Sequence, residues 1–117
     1  MVKRINPGSR MSQVVMHSGF IYVSGQVADL PNPGIDDQTK SVLSKIDRLL
    51  AEAGATKSDL VNVTVLLPHI TDFDKMNAVY DAWIDPANPP SRACYEARLA
   101  DPELRIEITA VAAVPGT

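Results

Sequence analysis

Cysteine is almost absent from this chain. Cys94 is the only one, so no disulfide and no cysteine-based metal site can form within one chain. That agrees with a reducing compartment. Histidine is nearly as sparse: His17 and His69 lie far apart and lack metal-ligand spacing such as His-x-x-x-His. Both read as turn or surface residues, and no metal is expected. Long apolar runs are missing too. None approaches the ~18–20 residues that span a bilayer, and Met1 to Pro7 holds no apolar signal core. No membrane association is expected, and the cytoplasm is the expected location. Nor is there a basic stripe. Lys3-Arg4 is the only adjacent basic pair and the net charge is −3. Nucleic-acid binding, which rests on clustered Lys and Arg that displace counterions, is therefore disfavoured. No phosphate-binding loop, dinucleotide fingerprint or nucleophile elbow appears, and no cofactor is expected.

What remains is an ordinary globular composition, 45% hydrophobic and 21% charged, in 117 residues. That length fits one domain over residues 1–117, with a core of modest margin. Oligomerisation is a common way to bury more surface. Punctuation at Asn6-Pro7-Gly8, Ser18-Gly19, Pro31-Asn32-Pro33-Gly34 and Asp85 to Pro90 marks short turns and loops, not domain linkers.

Apolar-rich runs over Met11–His17 and Phe20–Val27 flank Ser18-Gly19 and predict a β-hairpin, with a short strand at Val2–Ile5 before it. From Asp36 to Ala53, residues Val42, Leu43, Ile46, Leu49, Leu50 and Ala53 form one helical stripe, which Gly54 is placed to end. Thr56 to Leu60 is a short turn. Leu60–Leu67 alternates as a strand, with Val61, Val63, Val65 and Leu67 on one face. A second helix over Asp72–Ile84 can be capped by Thr71 or Asp72, with Phe73, Met76, Tyr80 and Trp83 as its core side. Strands over Arg92–Leu99 and Leu104–Val114 follow, joined by a turn at Asp101-Pro102. The order β-β-β-α-β-α-β-β predicts a two-layer α+β domain, a mixed sheet with two helices on one face. The other face stays open unless identical chains cover it in a ring.

Few residues can carry chemistry. Arg92 follows a Pro-rich loop and opens a strand, where a guanidinium can grip a carboxylate through two parallel hydrogen bonds. Read alone, a surface or ion-paired arginine is the commoner case. Glu107 lies between Ile106 and Ile108. A carboxylate with apolar neighbours can act on a water as general acid or base, although an outward-facing, solvated glutamate is commoner. The two sit on consecutive strands and could converge. Cys94 shares the Arg92 face but lacks a histidine partner, so a buried structural thiol is expected. Its backbone carbonyl could still hold a ligand or water. Gly25, in Ser24-Gly25-Gln26, could let backbone approach a ligand closely.

Together these segments resemble the RidA/YjgF family, also called the L-PSP endoribonuclease or translation-inhibitor family. The likeness rests on Met11-Ser12-Gln13 with Ile21-Tyr22-Val23-Ser24-Gly25-Gln26-Val27, on Asp72 to Tyr80, and on Asn88-Pro89-Pro90-Ser91-Arg92-Ala93-Cys94 followed by Arg105-Ile106-Glu107-Ile108. It covers nearly the whole chain. The resemblance implies a chorismate-mutase-like fold and a homotrimer with a central barrel and ligand clefts between subunits. It also implies hydrolysis of reactive 2-imino acids to 2-oxo acids and ammonia. In that frame Arg92 matches the carboxylate-binding arginine and Glu107 the acidic residue near the water. The Cys94 carbonyl and the Gly25 amide would contact ligand, and Asn77 and Tyr80 would line or support the cleft. One position departs from the pattern: Met11 stands where the deaminase branch usually has a tyrosine, so a thioether replaces a polar contact. This leaves open a non-catalytic trimer that binds small carboxylates. An endoribonuclease, the older family name, is opposed by the acidic balance and the two scattered histidines.

Overall fold

A computed structural model describes residues 1–29 and 34–116. The turn expected at Pro31-Asn32-Pro33 lies outside the described residues. The elements run β1 (Lys3–Pro7), β2 (Ser12–His17), β3 (Phe20–Gln26), α1 (Ile35–Glu52), β4 (Leu60–Leu67), α2 (Phe73–Trp83), β5 (Ser91–Glu96) and β6 (Glu107–Ala113). Their order is the one the sequence predicts. They build one six-stranded sheet in the order β1-β2-β3-β6-β4-β5. All neighbours are antiparallel except β4 and β5, which run parallel across the α2 crossover.

Both helices pack on one face of this sheet. Val14, Ile21, Val23, Val63, Val65, Ile108 and Ala110 meet the α1 stripe of Val42, Leu43, Ile46, Leu49 and Leu50, with Met76 and Tyr80 from α2. The opposite face has no layer over it among the described residues. Register places Tyr22, Thr64, Leu66, Thr109 and Val111 there, and Tyr22 is 46% exposed. No helix among the described residues is long and apolar enough to cross a membrane.

Local chemistry explains the element ends. Gly54 has φ of +82°. Its amide bonds the Ala51 carbonyl and the Ala55 amide bonds that of Leu50, which is the paired-bond helix stop that needs a left-handed glycine. The short turn after it is a single 3₁₀ turn over Lys57–Asp59, closed by a capping box between Thr56 and Asp59.

Several details differ from the sequence reading. The register of β4 shifts between Leu60 and Asn62, so Val61 sits in a bulge and is 42% exposed instead of facing the core with Val63. Asp72 occupies the cap position of α2 but makes no capping bond, because its carboxylate is committed to Arg105. Phe73 is exposed at the start of α2, beside β5, the edge strand where the sheet ends. Strand β5 ends at Glu96 and β6 begins at Glu107, shorter than the alternation suggests. Between them, the backbone of Glu103 and Arg105 is bonded by the side chain of the fully buried Gln38 in place of a neighbouring strand.

Candidate functional site

Arg92, the second residue of β5, lies opposite Val63 of β4 and therefore points to the helix-covered side. Phe73, Asn77 and Tyr80 recur at four- and three-residue spacing on α2 and form one ridge beside it. The Arg92 Nη1 donates to the Asn77 Oδ1 at 2.8 Å. The guanidinium carbon lies 4.7 Å from the centroid of the Tyr80 ring and 6.0 Å from that of Phe73. The cation is thus held by one hydrogen bond and an aromatic face, while its other N–H groups have no hydrogen-bond partner among the described residues. Burial pushes the Tyr80 hydroxyl above its usual value, against the pull of the Arg92 charge. Cys94 faces the same side two residues on, opposite Val65. Burial raises its thiol as well, again opposed by Arg92. That thiol stays protonated near neutral pH and lacks the activation a nucleophile needs.

A second group forms around a bulge in β3. Its register shifts between Val23 and Gln26. The Ser24 hydroxyl donates to the Ser12 carbonyl at 2.6 Å, and Gln26 Nε2 donates to the Ser24 carbonyl and to Gln13 Oε1. These bonds hold the Met11–Ser12 end of β2 beside Ser24-Gly25. Met11 accepts the Gly8 amide at its carbonyl, and its thioether side chain is exposed. Glu107, the first residue of β6, pairs with Leu66 on the open face. Its carboxylate packs directly on Gly25: a β-carbon there would lie 2.5 Å from Oε2. The carboxylate accepts no hydrogen bond from the described residues.

The sequence-derived candidates therefore fall into two groups, Arg92 with Asn77, Tyr80 and Cys94, and Glu107 with Gly25 and Met11. The expected convergence of Arg92 and Glu107 does not occur within one chain. Strand β4 lies between β5 and β6. Arg92 pairs with Val63 and Glu107 with Leu66, three residues apart and so on opposite faces. Two concavities of the chain include neither residue: one of about 650 Å³ under the loop after β5, lined by His69, Arg98 and Asp101, and one of about 560 Å³ between the helices, lined by Asp47, Lys57 and Trp83. Sequence reasoning missed Phe73 as a neighbour of Arg92, although its four-residue spacing from Asn77 was available as a signal. It also missed the Asp72–Arg105 pair, for which no local signal exists across 33 residues.

The family model described as endoribonuclease L-PSP matches residues 1–114. A RutC family protein of Haemophilus influenzae is 40% identical, covering 95% of this chain and 97% of its own. One from Pyrococcus abyssi is 36% identical over 94% and 91% of the two chains. Among solved structures, a YjgF-family member from Neisseria meningitidis superposes with a TM-score of 0.96 at 37% identity, over 100% of this chain and 98% of its own. A Rid-family protein from Yersinia pestis, at 27% identity, gives 0.91 over 97% and 100%. With the sheet order, the two helices and this match along its length, the chain belongs to the RidA/YjgF family.

Proposed function

We propose that the protein hydrolyses reactive 2-imino acids to 2-oxo acids and ammonia, in clefts of a homotrimer where Arg92 of one copy meets Glu107 of the next. The observation that carries this reading is Arg92. An arginine clamped by Asn77 and seated on Tyr80, with its other donors unpartnered among the described residues, is a preorganised receptor for a planar carboxylate. The opposite-face arrangement of Arg92 and Glu107 supports a site shared between copies, and the bare sheet face supplies the surface through which copies would meet.

The chemistry asks little of the protein. The protonated imine carbon is already electrophilic. Arg92 fixes the substrate carboxylate, and Glu107, whose carboxylate accepts no hydrogen bond from the described residues, holds a water against that carbon. The water oxygen bonds to the carbon as the C=N π bond opens onto nitrogen. One water proton passes through the Glu107 carboxylate to the amine. The C–N bond then breaks as the same carboxylate takes the remaining hydroxyl proton, so that ammonia leaves, the C=O bond of the 2-oxo acid forms, and that proton passes on to the ammonia or to solvent. Cytoplasmic location fits the single reduced thiol.

A second reading, a carboxylate-binding trimer without turnover, is favoured by one observation. Met11 presents a thioether beside the Gly25 end of β3, where a hydroxyl would otherwise contact substrate. The two readings separate in one assay. Release of 2-oxo acid from a freshly generated imino acid is followed with wild type and with Arg92→Ala. Deamination requires a wild-type rate above the uncatalysed one that the variant loses. Saturable binding of pyruvate with no acceleration for any of several imines establishes the binding reading instead.

A further inference from the structure

We propose that Arg105 is a positioning residue for the carboxylate of β6, acting through Asp72 and Gln38. The inference rests on the imine-hydrolase reading of Glu107 and extends it to how that carboxylate is aimed.

Two ion pairs occur among the described residues, and they differ sharply. Lys45–Asp29 leaves the Asp29 side chain 89% exposed, whereas Arg105–Asp72 leaves its partners only 32% and 10% exposed. The latter is bidentate: Arg105 Nε and Nη2 reach Asp72 Oδ2 at 3.1 and 2.8 Å, and Nη2 also reaches Oδ1 at 2.9 Å. Asp72 stands at the cap position of α2 yet gives the helix no capping bond, so its carboxylate serves Arg105 instead. The Arg105 amide donates to Gln38 Oε1 at 2.8 Å, and Gln38 Nε2 donates to the Glu103 carbonyl at 3.0 Å. Both helices thus grip the lead-in to β6.

Glu107 lies two residues further on. Its carboxylate has no hydrogen bond of its own among the described residues, so its aim depends on its backbone and on the close approach to Gly25. The same ion pair fixes the start of α2, five and eight residues before Asn77 and Tyr80, the side chains that hold Arg92. One pair therefore ties the element that seats the carboxylate anchor to the element that presents the water-handling carboxylate. In an assembly whose site draws one group from each of two copies, errors in the two elements add across the interface. A misplacement of about 1 Å can cost up to about a hundredfold in rate.

The test uses full-length Arg105→Met, Arg105→Lys and Asp72→Asn proteins. It measures steady-state imine hydrolysis, pyruvate binding by calorimetry, thermal midpoint, and the Gly25 amide resonance in ¹⁵N spectra. Arg105→Met is expected to lower kcat about tenfold, with a smaller weakening of KM and of the pyruvate Kd through the start of α2, and to shift the Gly25 amide. Arg105→Lys keeps a single-point pair and should recover part of the loss. Where Arg105→Met does not fold, Arg105→Lys and Asp72→Asn carry the same comparison. An unchanged kcat in a folded variant overturns the proposal. So does a kcat loss matched by Ile46→Ala, a core control, at equal thermal midpoint. If wild type itself shows no turnover, the hydrolase reading fails separately. The Gly25 shift then decides, and its absence in folded Arg105→Met, or in Asp72→Asn where Arg105→Met does not fold, overturns the positioning role.

Discussion

Gly25 is glycine because Glu107 fills the place of its side chain: a β-carbon built there would stand 2.5 Å from Glu107 Oε2 and 2.9 Å from Cδ. Those atoms belong to the far end of a flexible side chain, so Gly25→Ala should displace Glu107 and leave the sheet intact. The expected cost is about 1 kcal/mol of stability, in the range for mild overpacking, alongside about a tenfold loss of kcat from a misplaced carboxylate. Calorimetric melting and the imine assay check it. A variant that melts normally and turns over normally removes Glu107 from the mechanism.

Arg92 is held by Asn77 and Tyr80. Truncating it to alanine removes charge-assisted bonds worth about 1.5–3 kcal/mol each, so pyruvate binding should weaken at least about tenfold. Asn77→Ala leaves the cation present but less restrained. It should weaken binding about fivefold, in line with one hydrogen bond of about 1 kcal/mol. Isothermal titration orders the three proteins. Equal affinity for wild type and Arg92→Ala would mean the carboxylate sits elsewhere.

Much of this was legible from residues alone, and the failures have physical causes. Period-2 and period-3.6 patterning located β2, β3, β4, β6 and both helices, because each buries one face against the other layer. Gly54 announced the end of α1 through its left-handed backbone. Val61 misled because a bulge reverses alternation without any compositional mark. The stretch between β5 and β6 alternates like a strand, yet its backbone is bonded by Gln38 from α1, a partner no local pattern reveals. For the site, residue types pointed to Arg92 and Glu107. Strand order did not follow from sequence, so the intervening β4 and the opposite faces could only be seen in three dimensions.

Cys94 stands beside Arg92, but burial raises its thiol above the usual cysteine range, and Arg92 only partly opposes this. Raised folded-state affinity for the proton sets the sign. Below the free-thiol range the group is neutral in both folded and unfolded states and leaves stability unchanged. As pH climbs past that range toward the folded value, the unfolded chain ionises first and stability declines. Two outcomes follow. Iodoacetamide should label Cys94 slowly at pH 7.5 and faster above pH 9, and Cys94→Ala should keep most of the activity, since only the backbone carbonyl is expected at the ligand. Rapid labelling at neutral pH, or an inactive but folded alanine variant, would make the thiol a participant.

Arg92 and Glu107 lie on opposite faces of one sheet, so an intact cleft in the proposed trimer draws them from different copies. This makes complementation a sharp test. Arg92→Ala and Glu107→Gln proteins should each be inactive as homotrimers. Unfolded together in equal amounts and refolded, they give mixed trimers. A cleft is whole when its Arg92 comes from a Glu107→Gln copy and its Glu107 from an Arg92→Ala copy. Each condition holds with probability about one half, so roughly one quarter of clefts should be restored under random assembly. The imine assay on the mixture, against each parent refolded alone, should then recover about a quarter of wild-type turnover. No recovery from mixed trimers verified by mass spectrometry would place both groups' work within a single chain, or outside this reaction altogether.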